Sequence, residues 1–168
     1  MNTIVAEVRP AESKDAAALA AIHELSWRSA YSGLIPHGAL NRMLGRRDAG
    51  WWDKAVRHRA AVVVIEFDGR AIGYATLGLN RTPALKVEGE IYELYLLPEF
   101  QGVGFGRRIF ESARDMLALR GLKGLAVWTL AENQPAMRFY EGMGGTDIAE
   151  GSEAFDGRVM RKIAYVWR

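Results

Sequence analysis

Residues 90 to 130 restrict the fold of this chain more than any other segment. They read in order as a strand, a glycine turn, a helix and a second strand. The apolar run Ile91-Tyr92-Glu93-Leu94-Tyr95-Leu96-Leu97-Pro98 leads into Gln101-Gly102-Val103-Gly104-Phe105-Gly106. A helical pattern follows from Arg107 to Arg120, with Ile109, Ala113, Met116 and Leu117 on one stripe, and Gly121 marks its end. Lys123 to Leu130 is again apolar and strand-like. Two strands joined through a helix lie parallel in one sheet, by a right-handed crossover, so the chain is an α/β (α+β) protein. The turn also carries chemistry. Glycines at alternate positions leave backbone N–H groups bare where a helix begins, and the helix dipole adds partial positive charge there. Such a place suits a phosphate or pyrophosphate, and Arg107 and Arg108 stand ready to reinforce it.

The flanking segments extend the order. Ile4 to Arg9 predicts a first strand stopped by Pro10, and Ser13 is placed to cap a helix bearing Leu19, Ile22, Ser26/Trp27 and Ala30 on one face. Gly33 and Pro36 interrupt it, and one irregular helical region runs on to about Arg59. Ala61–Phe67 and Ala71–Leu79 form a hairpin about Asp68-Gly69, and Thr146–Phe155 and Arg158–Trp167 form another about Asp156-Gly157. A helix covers about Gln134–Met143. The expected order is β-α-α-β-β-β-α-β-α-β-β, one domain over residues 1–168 with a mixed twisted sheet and helices on both faces.

Three glycine patterns compete for the loop. A phosphate loop of the Walker type needs Gly-Lys-Ser/Thr, where this chain has Gly106-Arg107-Arg108. A dinucleotide fingerprint needs a glycine at 107 and would open the first strand–helix unit. The pattern Q/R-x-x-G-x-G/A fits at Gln101, Gly104 and Gly106; a turn without a ligand is the remaining alternative. Further on, Asn133, Ala136, Phe139, Tyr140 and Gly144 fit N-x-x-A-x-x-F/Y-Y-x-x-x-G. The two patterns, in this order and one helix and one strand apart, resemble the GNAT superfamily of N-acetyltransferases. Val8–Ala11 and Ser26–Tyr31 are similar to that family's first strand and helix.

The resemblance implies a set of roles. Gln101, Gly102, Val103, Gly104, Phe105, Gly106 and Arg107 would hold the pyrophosphate of coenzyme A. The two parallel strands would splay, and the main chain of Leu94, Tyr95 and Leu96 would pair with the pantetheine arm and the thioester carbonyl of acetyl-CoA. Tyr140 would protonate the departing thiolate, since a phenol near pKa ~10 keeps its proton at neutral pH. Asn133 would cap its helix, touch the arm, or both. An alkyl ammonium must lose a proton before it attacks, so a base is needed. Glu90 and Glu93 are the candidates, and counting back from Gly104 favours Glu90, at the position of the histone-acetyltransferase glutamate. On a regular strand the two point to opposite faces unless a bulge intervenes. The position of the glutamate used by ribosomal-protein N-terminal acetyltransferases is taken by Trp128.

The acceptor is the least legible part. Trp27, Tyr31, Trp51 and Trp52 lie in the segment that walls this site in the family, and Trp27 and Tyr31 are the substrate-binding candidates. No acidic cluster favours a polyamine, so a small primary amine such as an amino acid or analogue, or a peptide amine, is expected. A peptide N-terminal acetyltransferase and a non-catalytic acyl-CoA-binding module remain alternatives. With a net charge of +2 and no dense basic block, nucleic acid is not an expected partner. The chain has no cysteine, which removes acyl-cysteine chemistry, and its three histidines lack metal-ligand spacing, so no metal is expected. No apolar run has the length of a membrane span and no signal pattern is seen, pointing to a cytoplasmic protein. Tyr165 and Trp167 on the closing hairpin leave a homodimer open.

Overall fold

The structure is a computed structural model that describes residues 5–58 and 61–168. Seven strands form one sheet in the order β1-β2-β3-β4-β5-β7-β6. They are β1 (Glu7–Pro10), β2 (Val62–Phe67), β3 (Arg70–Leu79), β4 (Gly89–Leu96), β5 (Leu125–Leu130), β6 (Thr146–Phe155) and β7 (Arg158–Trp167). The helices are α1 (Ala16–Tyr31), α2 (His37–Arg46), α3 (Ala49–Arg57), α4 (Phe105–Leu119) and α5 (Gln134–Gly142). Only β4 and β5 pair parallel; every other neighbouring pair is antiparallel.

Local chemistry explains most boundaries. Both hairpins turn on Asp-Gly pairs with positive φ at each residue, 52° and 74° at Asp68-Gly69 and 52° and 87° at Asp156-Gly157. That conformation matches the strand twist and tolerates Asp and Gly best. The helical region expected as one is two, because the Asp48 side chain accepts the Trp51 N–H at 2.9 Å and starts α3 afresh. Ser13 is not the cap expected of it. It opens a short 3₁₀ turn, and Glu12 with Asp15 forms a capping box. Ile4 and Arg59, the outer limits read for the first strand and the helical region, lie outside the described residues.

Helices cover both sheet faces. On one, Trp52 of α3 packs edge-on to Tyr74 at 4.9 Å and Trp27 of α1 edge-on to Tyr95 at 6.2 Å between centroids. On the other lies α4, whose buried stripe is Ile109, Phe110, Ala113 and Leu117; Met116 is only half-buried. α5 lies against α4, with Phe139 edge-on to Phe110 at 6.2 Å. Tyr165 and Trp167, the residues that left a homodimer open, belong to this core. Tyr165 Oη donates to Glu141 at 2.9 Å and Trp167 Nε1 to the Met143 carbonyl at 3.0 Å, so neither ring faces outward. A strand paired along both edges, with α5 against its face, buries its aromatic residues.

Candidate active site

The parallel pair comes apart almost at once. β4 and β5 share the rungs Gly89–Leu125, Glu90–Ala126 and Ile91–Val127 and none beyond. β4 stays paired with β3 as far as Leu96. At that end the Leu97 N–H donates to the Ile72 carbonyl at 2.9 Å. Alternation along an antiparallel ladder then turns Tyr95 toward β3 and leaves the N–H groups of Leu94 and Leu96 facing the opening. The Leu96 carbonyl, on the open side, accepts from Ser26 Oγ and Gln101 Nε2, each at 3.1 Å. Gln101 therefore ties the glycine loop to the end of β4.

The loop itself is a nest of donors. Among the described residues, none of the N–H groups from Gly102 to Arg107 has a protein acceptor, and the first one used in the helix is Arg108, to the Gly104 carbonyl at 3.2 Å. α4 starts at Phe105, two residues before the sequence pattern suggested, because Gly104 can take φ 97° at the cap. Gly106 thus lies inside the helix and serves closeness instead. A Cβ there would stand 3.1 Å from Phe139 Cε2 and 3.6 Å from Leu96 Cδ1. The Phe105 ring turns into the core against Phe67, at 5.1 Å, and neither Phe105 nor Val103 lines the groove between the splayed strands.

A groove of about 830 Å³ opens between the splayed strands. Leu94, Tyr95, Leu96, Gln101, Gly102, Gly104, Gly106, Arg107, Asn133 and Tyr140 all line it, together with Tyr31, Tyr92, Glu93, Trp128 and Arg138. Asn133 caps α5, its Oδ1 accepting the Ala136 N–H at 3.3 Å. Tyr140 is 6% exposed, and burial, with the nearby Tyr31 adding to it, holds its phenol well above the ordinary range. The phenol is therefore neutral and keeps its proton. Burial also raises Tyr31, against the pull of hydrogen bonds to Tyr95 and Asn133; its hydroxyl lies 3.3 Å from that of Tyr95.

The two glutamates separate here. Thr76 faces Glu93 and Leu77 faces Ile91, so Tyr92 is an extra residue in β4. This bulge brings Glu90, opposite Gly78, and Glu93, opposite Thr76, onto the same sheet face. Their surroundings still differ. Glu90, the preferred base of the sequence reading, sits where β4 and β5 remain paired and does not line the groove. Its side chain is 1% exposed, held by the Arg81 N–H at 2.9 Å and guanidinium at 2.8 Å. Glu93 faces the groove, 13% exposed, and is bound by Arg47 Nη1 at 2.9 Å, Tyr74 Oη at 3.1 Å and Thr76 Oγ1 at 3.4 Å. Arg47 in turn stacks over Trp51 at 4.2 Å.

Of the four aromatic residues read as an acceptor wall, Tyr31 lines the groove. Trp27 is packed behind it, between the rings of His23 at 5.1 Å and Tyr31 at 4.9 Å. Trp52 is fully buried and Trp51 is a surface support for Arg47. The residues that sequence reasoning missed are Arg47, Tyr74 and Thr76, which set Glu93, and Arg138. Arg47 lies far from β4 in the chain, and no local pattern signals that contact. His23, next to this network, is pushed down to about 4 by burial, with Arg47 acting the same way and Glu93 opposing. Among the described residues, no three metal-ligating side chains are gathered, and no helix is long and apolar enough to cross a membrane.

The profile of the acetyltransferase (GNAT) family matches residues 19–144. The chain belongs to the GNAT family of acetyltransferases. It is 28% identical to an uncharacterized N-acetyltransferase of Bacillus subtilis over 160 residues, 95% of this chain and 91% of that one. A mycothiol acetyltransferase of Thermomonospora curvata is 31% identical over 110 residues, 66% of this chain and 34% of that protein. In fold it matches the PaiA N-acetyltransferase of Thermoplasma acidophilum, solved in complex with coenzyme A. The TM-score is 0.76 at 15% identity, covering 94% and 98% of the two chains. The protein is thus an acyltransferase, and in this GNAT enzyme the splayed strands, donor nest and buried phenol meet in one groove.

Proposed function

We propose that the enzyme moves an acetyl group from acetyl-CoA to a primary amine, of a small molecule or a peptide, directly within a ternary complex. The observation that carries this reading is the gap between β4 and β5, with six free N–H groups at one end and Tyr140 in its wall. Coenzyme A bound to a fold neighbour supports the choice of co-substrate. The nest suits a pyrophosphate, with Arg107 and Arg138 supplying countercharge. The N–H groups of Leu94 and Leu96 are free for the pantetheine arm and the thioester oxygen. A fixed donor there gains more from the oxyanion of the transition state than from the neutral carbonyl. Asn133 lies beside the arm's path, its oxygen engaged by the helix and its NH₂, which also reaches Tyr31, keeping one N–H for the arm.

Glu93 takes the proton of the acceptor ammonium. Its Oε1 already accepts from both Arg47 and Thr76, and Oε2, which accepts only from Tyr74, keeps a lone pair for the proton. The amine nitrogen bonds to the carbonyl carbon, the carbon–sulfur bond breaks, and Tyr140 gives its proton to the sulfur. The nitrogen sheds its second proton to water, water returns one to the phenolate, and Glu93 releases the first to bulk solvent. Thiol release from acetyl-CoA over a panel of primary amines tests the reading. Turnover with at least one amine, lost in Glu93→Gln, is expected; thiol release no faster than the uncatalysed rate with every amine overturns it.

A further inference from the structure

We propose that the acceptor carries one ammonium group on an apolar, ring-bearing body and no carboxylate next to that amine. This rests on the transfer reading above and narrows it. The charged side chains that line the groove are Glu93, Arg107 and Arg138. Arg107 is in the first turn of α4, and Arg138 precedes Phe139, which packs on Gly106 of the loop, so both cations lie on the side of the groove formed by α4 and α5. The acceptor end has Glu93 as its single charge and Tyr31, Tyr92 and Trp128 as walls.

Three other cations lie near this end, and each is held outside the groove wall. Arg47 is paired with Glu93 and stacked on Trp51. Arg81 is paired with Glu90 and lies 4.1 Å over the Tyr92 ring. Lys162 Nζ lies 4.6 Å over the Trp128 ring, and that ring, not Lys162, forms the wall. An ammonium at Glu93 therefore meets a carboxylate and aromatic faces, both favourable to a cation. A carboxylate on the neighbouring carbon meets no cation with free donors and stands within about 5 Å of Glu93; Arg47, already engaged by Glu93, offsets part of the repulsion and leaves on the order of tenfold in affinity. An aryl body adds burial against the aromatic walls. Free amino acids are excluded on this reasoning, whereas arylalkyl amines and peptide N-termini are admitted.

The experiment compares 2-phenylethylamine, phenylalaninamide and phenylalanine, which share ring and amine and differ at the carboxyl group. Binding to the enzyme–coenzyme A complex by calorimetry and kcat/KM for acetylation are both measured. The first two should exceed phenylalanine by roughly tenfold in both. Glu93→Gln should bring the three affinities close together, and Lys162→Met should leave phenylalanine as poor as before. Phenylalanine binding within about threefold of 2-phenylethylamine, or a phenylalanine affinity that depends on Lys162, overturns the proposal. Selective binding of the amines without acetyl transfer to any would overturn the transfer reading and leave this one standing. Transfer with no preference would do the reverse.

Discussion

Replacing Tyr140 by Phe removes one hydroxyl from the wall of the groove, and its cost can be worked out from its surroundings. The phenol is 6% exposed and makes no hydrogen bond to another protein group among the described residues, while its ring packs on Phe139 at 5.2 Å and Tyr165 at 6.0 Å. Phe keeps the ring contacts, so the melting temperature should move by no more than a degree or two. The kinetic cost is different. A thiol of ordinary pKa leaves at neutral pH as a thiolate about 1.5 units out of balance, about 2 kcal/mol. A buried hydrogen bond to the developing charge is worth about 1.5–3 kcal/mol. Losing the donor should therefore raise the barrier by about 2–3 kcal/mol, which lowers kcat between about 30- and 150-fold. Because burial holds the phenol neutral well beyond its ordinary range, the wild-type rate should show no loss of this proton up to about pH 10. Thiol release under saturating acetyl-CoA and amine measures kcat, and calorimetry checks that acetyl-CoA still binds. A kcat within twofold of wild type, with cofactor affinity intact, would remove Tyr140 from the proton transfer.

Three further outcomes follow from the same geometry. Glu93→Gln should lower kcat/KM for the amine by about 100-fold or more, with acetyl-CoA affinity unchanged, as steady-state kinetics with each substrate varied will report. Gly104→Ala meets nothing within 4 Å but forces a side chain to φ 97°, so it should cost about 1–2 kcal/mol in urea unfolding and weaken acetyl-CoA binding as the nest distorts. His23 is held down to about 4 by burial, so folding favours its neutral form. Its contribution is fully present above pH 6.5 and is lost as pH falls from there toward 4, by up to about 3 kcal/mol. Melting curves across that window should flatten in His23→Phe, and an unchanged slope would show that other groups dominate.

How far the sequence carried can be judged at particular positions. The Asp-Gly hairpins, the Gly121 helix end, the Asn133 cap and the glycine loop were all legible, because each depends on a few adjacent dihedrals and on donors or acceptors one turn away. The start of α4 was misplaced by two residues, since nothing local says whether Gly106 is needed for its φ or for closeness to Phe139, a contact made across the fold. Trp27 and Tyr31 looked alike as acceptor residues, yet only Tyr31 reaches the groove, since the stacking of Trp27 behind it depends on how α1 is rotated against β4.

The amino-acid sequence alone determined the parallel strand–loop–helix–strand unit, the family and the residues of the donor nest. Short-range sterics and hydrogen bonding, which neighbours in the chain control, are enough for these. Which of Glu90 and Glu93 lines the groove was decided only in three dimensions. A bulge at Tyr92, seen in the shifted pairing with β3, put both carboxylates on one face. Arg81 then closed over Glu90, and Arg47 and Tyr74 held Glu93 toward the groove. A carboxylate's role depends on which charges, donors and openings lie within a few ångströms of it, and those came from strands and helices distant in the chain.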